Sequence, residues 1–295
     1  MGWFGLGSDA RSNRGASRRP ASLLAAAAVC SILVLASGDR AIAADWPDSL
    51  RGSLTPSYAR WDGWQFGIQA GLANMNASFG NSTSGLVAFI LRNTTIENEF
   101  APSNWTTLPS DTTNGQVYGA FLGYNMQWDQ LVLGWDVIYN YTASSLVSSA
   151  RDSIARSFDT SDGISNTVAI DAQSAIKLVD YAALRGRAGY AFGQFLPYAT
   201  VGVAVGRFNS STTAMVFSHG TDPNTGATVY GPFLDTRSTG KDNAFIGGFA
   251  AGLGVDWAIT PGLFLRAEWQ YIAFAPVTGI RTNLNTGQLG VGARF

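Results

Sequence analysis

The chain has 295 residues, of which 13% are charged and 12% aromatic, and it carries 34 glycines. Lys and Arg number 19 against 20 Asp and Glu, a net charge of −1. So little charge beside so much glycine and aromatic side chain excludes a disordered polyelectrolyte and favours a β-rich protein. The absence of a basic excess argues against nucleic acid as a partner.

The first element in chain order has the pattern of an export leader. Arg11, Arg14, Arg18 and Arg19 form a basic start, and Ala21–Ala36 is an apolar run, "ASLLAAAAVCSILVLA". Small residues at Ala41–Ala43 then predict cleavage before Ala44. The run is short for a membrane anchor, which needs about 20 residues. The segment "SRRPAS" lacks the apolar residues expected after a twin-arginine pair, and Cys30 lies inside the apolar run, so a lipoprotein is not expected. Loss of residues 1–43 leaves 14 Lys and Arg against 18 Asp and Glu, with no cysteine for disulfide or thiol chemistry. Residues 44–63 are expected to be a periplasmic N-terminal segment.

From there on, eight stretches alternate with period two, the mark of a strand with unlike faces. They run roughly 64–73, 116–128, 130–142, 175–191, 194–208, 243–257, 263–273 and 285–295. Most match the ~9–11 tilted residues that cross a bilayer. Their connectors alternate long and short. The long ones cover about 74–115, 143–174, 209–242 and 274–284, and the short ones lie near Asp129, Gly193 and 258–262. Outer-membrane up-and-down barrels have this rhythm.

Face by face, Trp64, Phe66, Ile68 and Leu72 oppose Gln65, Gly67, Gln69 and Gly71, and Leu265, Ala267, Trp269 and Tyr271 oppose Phe264, Arg266, Glu268 and Gln270. A soluble barrel would have to coat itself with the second, glycine-studded face, although soluble domains carry ~25% charged residues. In a membrane barrel the bulky face meets lipid and the other fills a narrow lumen. Hydrocarbon tolerates no open strand edge, so the sheet must close. The expected fold is all-β: an eight-stranded antiparallel up-and-down transmembrane β-barrel covering 64–295.

The inward face collects Asp136, Arg185, Arg187, Asp256, Arg266, Glu268 and Arg294. Isolated charges there would be costly, so a paired network plugging the barrel is expected, with a solute-selecting constriction as the alternative. Two aromatic girdles are expected at the strand ends: Trp61, Trp64, Trp128, Tyr190, Phe195, Trp257 and Phe295 at the short-turn end, and Tyr118, Tyr139, Tyr141, Trp269 and Tyr271 at the other. The one histidine, His219, falls in a long connector without readable partners. No catalytic residue, metal site or cofactor is therefore expected.

Five stretches carry a family resemblance: "WDGWQFGIQAGL" (61–72), "GAFLGYNMQW" (119–128), "LRGRAGYAFGQFLPYATVGVAVG" (184–206), "GLGVDWAITPGLFLRAEWQY" (252–271) and "NTGQLGVGARF" (285–295). With them the chain resembles the small outer-membrane proteins of alphaproteobacteria, porin-family or opacity-like barrels of RopB type. The resemblance implies that the last strand is read by the outer-membrane insertion machinery through Phe295, Ala293, Val291 and Leu289, and that it closes against the first strand. Haem capture, a role of some similar proteins, is set aside because His219 stands alone. The expected function is a non-enzymatic barrel of the Gram-negative outer membrane. It would support envelope integrity, contact lipid and lipopolysaccharide, and present surface loops. The alternatives are a narrow porin and a loop-borne adhesin or receptor. A lipid-modifying enzyme would need an acid–base pair at the outer rim, and none is readable.

Overall fold

The computed structural model describes residues 59–143 and 146–295. The expected leader and most of the segment after it lie outside those residues. The alternating stretches are strands: β1 (Gly63–Gly80), β2 (Leu108–Trp128), β3 (Leu131–Tyr141), β4 (Val147–Asp159), β5 (Ser165–Tyr190), β6 (Phe195–Thr221), β7 (Thr228–Thr260), β8 (Leu263–Val277) and β9 (Ile280–Arg294). Two short helices, α1 (Ser84–Ile90) and α2 (Thr95–Phe100), sit between β1 and β2.

Each strand pairs antiparallel with its neighbours, β9 pairs with β1, and β3 pairs with β5, so the sheet is a ring. Closure of the ring leaves no backbone edge facing lipid. β3 and β4 lie end to end along the same side of β5: Leu131–Tyr141 against its second half, Val147–Asp159 against its first. They are one stave broken at 142–146. Backbone bonds bridge the break, from Thr142 N to the Val179 carbonyl (3.2 Å) and from Leu178 N to the Leu146 carbonyl (3.1 Å). The barrel therefore has eight staves.

Outside, the lower half of every stave is apolar. Ile68, Leu72 and Leu289 are 66%, 69% and 71% exposed, and Phe66, Leu122, Val203, Phe249 and Leu253 are exposed beside them. Side chains of this size stand in the open because their solvent is hydrocarbon. Aromatic residues mark the two margins of the band: Trp64, Trp128, Tyr190, Phe195, Trp257 and Phe295 at the short-turn end, Tyr118, Tyr139, Tyr141 and Trp269 at the other. Trp61 is the exception. It is 2% exposed and turned into the barrel mouth edge-on to Phe264 at 6.1 Å, and its backbone N–H donates to Gln127 Oε1 at 2.6 Å. Lying before the first strand, it escapes the alternation that aims Trp64 outward.

Three of the four long connectors are largely strand, which corrects the expected loop boundaries, while 74–115 is strand only at its ends. The turn residues are 160–164 within 143–174, 222–227 within 209–242, and 278–279 within 274–284. β6 alone has 27 residues, about 90 Å of chain at ~3.3 Å per residue, where about 9–11 suffice for a bilayer. A row of register shifts marks where the staves leave the band: at Leu178/Asp180 in β5, Phe208/Ser210 in β6, and 241–244 in β7. Bulges of this kind are common at barrel rims.

Beyond that row, α1 and α2 cover the inner face of the projecting sheet. Val87, Ile90, Leu91 and Ile96 pack on Val168, Ile170, Ala214 and Val216, a second apolar core separate from that of the lumen. Thr94 caps α2 by accepting from Glu97 N at 3.2 Å. Asp111 of β2 fastens β4, accepting from Ser148 Oγ (2.7 Å) and Ser149 N (3.1 Å). These bonds, the Ser148 hydroxyl first, hold the Asp111 carboxyl below its ordinary range.

Candidate functional site: the lumen

The alternation that presents the apolar face outward turns the intervening residues inward. The inward side chains of β8, taken from the short-turn end, are Phe264, Arg266, Glu268, Gln270, Ile272 and Phe274, all buried. They step through four layers: aromatic, ionic, amide and apolar. The aromatic layer joins Trp61, Phe264 and Phe121, the last two 6.0 Å apart.

The charged residues of the ionic layer come from four staves, with β3, β5, β7 and β8 each contributing. Arg185 grips Asp136 with two parallel bonds, Nε to Oδ1 at 2.8 Å and Nη2 to Oδ2 at 2.9 Å, and also donates to Glu268. Arg266 grips Asp256 in the same way, at 2.9 and 3.1 Å, and Arg187 donates to the same carboxylate. A 3.8 Å contact from Arg266 to Asp136 links the two halves. Tyr198 donates its hydroxyl to Glu268 at 2.8 Å and lies under the Arg187 guanidinium at 3.6 Å. Arg266 lies over Phe121 at 3.9 Å. Gln65 Oε1 accepts from Arg187 (3.4 Å) and Arg266 (3.3 Å).

Three guanidinium groups thus face three carboxylates in a space closed to solvent. An isolated ion there would cost several kcal/mol. Two-toothed Arg–carboxylate pairing with aromatic faces around it offsets that cost. Glycines make the room: a Cβ at Gly254 would overlap the Tyr198 ring.

Six of the seven charged residues singled out from the sequence meet in this layer. Arg294 does not. Its Nε donates to the Pro261 carbonyl at 2.7 Å and its guanidinium lies 4.4 Å from the Trp61 ring, so it belongs to the aromatic mouth below. Gln65, Tyr198 and Phe121 were missed. Their inward parity in β1, β6 and β2 was the signal, but neutral side chains did not draw the eye.

Above the ions, Gln69 donates to Asn140 (3.0 Å), and Gln288 donates to the Tyr181 hydroxyl (3.1 Å) and to Thr286 (3.1 Å). Both side-chain heteroatoms of the Gln270 amide and Arg187 Nε are buried without a hydrogen-bond partner, and Arg266 Nη1 has only its 3.8 Å ion-pair contact with Asp136. Phe208 and Phe274, edge to face at 4.9 Å, close the lumen above with Ile272, Leu284, Met75 and Leu178.

At the end of the chain, Phe295 exchanges backbone bonds with Trp64 at 3.0 and 3.1 Å, which zips β9 onto β1. Phe295, Val291 and Leu289 are exposed on the outer face and Ala293 is half-buried there. His219 lies on β6 opposite Thr167 of β5. Among the described residues no group of His, Cys, Asp and Glu is placed to hold a metal ion.

A family profile described as "Outer membrane protein beta-barrel domain" matches residues 49–295. The chain belongs to that outer-membrane barrel family. Solved structures similar to it include Ail, the attachment invasion locus protein of Yersinia pestis. It is 12% identical, over 80% of this chain and all 100% of Ail, at a TM-score of 0.31. Neisserial surface protein A is 15% identical over 78% of this chain and 97% of its own, at 0.30. OprG from Pseudomonas aeruginosa is 12% identical over 79% and 97%, at 0.33. No curated protein matches the sequence. As a member of the family, the barrel resides in the outer membrane, and its apolar outer band is its lipid-facing wall.

Proposed function

We propose that this barrel is a non-enzymatic envelope protein with a sealed lumen, stabilising the Gram-negative outer membrane and displaying its long-loop end to the outside. One observation carries the reading: the lumen is filled in successive layers, with Arg185, Arg187, Arg266, Asp136, Asp256 and Glu268 spent on one another. In the same reading residues 1–43 are a cleaved export leader. Phe295, Ala293, Val291 and Leu289 are the face offered to the insertion machinery. Lipid and lipopolysaccharide surround the outer band, and the kinship is with the RopB-type barrels of alphaproteobacteria.

Planar-bilayer recording of the purified protein tests it. A quiet bilayer is the expected result, and defined single-channel steps that change in Arg185→Ala or Arg266→Ala would overturn it. The rival reading, a narrow porin, draws on the Gln270 amide and Arg187 Nε, which are buried without a hydrogen-bond partner and suit a thread of water. The same recording decides between the two. The third possibility, an adhesin working through the projecting sheet and helices, predicts that deletion of 81–107 abolishes binding to a host surface while the barrel still folds.

A further inference from the structure

At the far tip, away from the membrane band, α1 and α2 do not close completely on the sheet. Between them and the β4–β5 and β6–β7 turns lies a cleft of about 610 Å³, within the ~300–1,000 Å³ range of small-molecule sites. The local sequence explains why it stays open. The chain leaves α1 through Asn93 at a positive φ of 62°, and Thr94 caps α2. The two helices are thus held apart, with Ile90 and Ile96 reaching the second apolar core and Leu91 beside them. The facing wall is Ile164, Pro232 and Phe233.

The polar groups behind this wall are already engaged. Asn166, 2% exposed, donates to Thr160 Oγ1 (2.8 Å) and the Ile164 carbonyl (3.0 Å) and accepts from the Tyr230 hydroxyl. They fix the wall, and although Thr94, Thr95 and Ser218 also line the cleft its surface is mainly apolar. Asp162 stands at the mouth and is the one charged residue among those that line the cleft. It is exposed, its Oδ1 accepts from Ile164 N at 3.3 Å and from the Thr160 hydroxyl, and among the described residues no Lys or Arg lies within ion-pair distance of it. The Thr160 hydroxyl, first among its contacts, keeps its carboxyl below the ordinary range, so it is ionised at neutral pH.

An apolar cleft with a fixed wall and a single uncompensated carboxylate at its mouth has a definite complement. We propose that it binds a small amphipathic amine, the apolar body against Ile90, Leu91, Ile96, Ile164 and Phe233 and the ammonium facing Asp162. The ligand arrives from outside the cell, since the cleft lies at the displayed end. The inference goes beyond the sealed-barrel reading: conductance decides that one, and the measurement below decides this one.

The test is NMR of the folded full-length protein in nanodiscs, with labelled isoleucine δ methyls, titrated with phenethylammonium, phenethyl alcohol and phenylpropionate as probes. The ammonium should shift the Ile90, Ile96 and Ile164 methyls and leave Ile68 and Ile138 of the barrel unmoved. The alcohol should bind about tenfold more weakly, the loss expected for one charge-assisted contact, and the carboxylate should not bind. Asp162→Asn should reduce the ammonium to the level of the alcohol, and Leu91→Trp, which fills the cleft, should remove both. Retained heat-modifiability on electrophoresis confirms that each variant is folded. The proposal is overturned if no probe shifts the three methyls, if Ile68 shifts equally through partition into lipid, or if Asp162→Asn leaves the preference for the ammonium intact.

Discussion

Arg185→Met tests the ionic layer most directly. Arg185 is 1% exposed and serves two carboxylates at once. Methionine keeps much of its length and none of its charge. After the change Glu268 keeps the Tyr198 hydroxyl at 2.8 Å, and Asp136 keeps only the distant Arg266 at 3.8 Å. Breaking a buried pair by removing one partner costs ~3–5 kcal/mol. Arg266→Met should cost roughly half that, because Asp256 retains Arg187. Removing all three charges together, Arg185→Met with Asp136→Asn and Glu268→Gln, should recover part of the loss, because no carboxylate is left without its arginine, although Arg187 and Arg266 then share Asp256 alone. The assay is urea unfolding in lipid vesicles followed by tryptophan fluorescence, with the free energy taken from midpoint and slope. An Arg185→Met variant within about 1 kcal/mol of wild type, or a triple variant no more stable than the single one, would show that these ions do not stabilise one another as paired charges.

Three further outcomes follow from other parts of the structure. Gly254→Val forces a side chain into the Tyr198 ring and should cost ~1–3 kcal/mol through overpacking, whereas Gly287→Ala, whose Cβ meets nothing within 4 Å, should stay within about 0.5 kcal/mol; the temperature of the electrophoretic heat shift ranks them. The folded Asp111 carboxyl lies below its unfolded value, so its clasp on β4 is fully present above the ordinary carboxylate pKa of about 4 and is lost as pH falls below it. Trp105 fluorescence should report that loosening on acidification, and Asp111→Asn should show it already at neutral pH; a flat acid titration in the wild type would contradict the assignment. Phe295→Ser should slow insertion catalysed by the outer-membrane machinery and leave spontaneous folding into thin vesicles nearly unchanged, and equal slowing of both would make Phe295 a packing residue only.

What the sequence revealed follows the solvent. Inside the lipid band one face must be apolar and the other must suit a tight lumen, so Trp64–Leu72 or Leu265–Tyr271 announces both a strand and its orientation. Beyond the band both faces are free to be polar. "VSSARDSIARSFD", which is β4, and the first half of β7 therefore carry little period-two contrast and looked like loops. The helices had a readable signal that was passed over: Val87, Ile90 and Leu91 at helical spacing, and Thr94 three residues before Glu97 as a cap. Charge drew attention to six residues that do meet, but charge alone could not tell that Arg294 sits on Trp61 rather than opposite a carboxylate. Pairing across the lumen depends on stagger between staves, which a single strand's sequence does not encode.

The line of register shifts through 178–180, 208–210 and 241–244 marks where the sheet leaves the lipid band, and the apolar core of the lumen runs on past it through Ile176, Ala172 and Ala150 before the separate core under the helices begins. Below it, substitution is constrained by fatty acyl chains and a filled bore. Above it, β4, β5, β6 and β7 bond to one another as one projecting sheet, so a hairpin lengthened there by equal numbers of residues on its two strands leaves the closure of the barrel below undisturbed. The line is thus a natural seam for grafting: foreign epitopes or whole exchanged turret segments joined there should ride on an unchanged foundation.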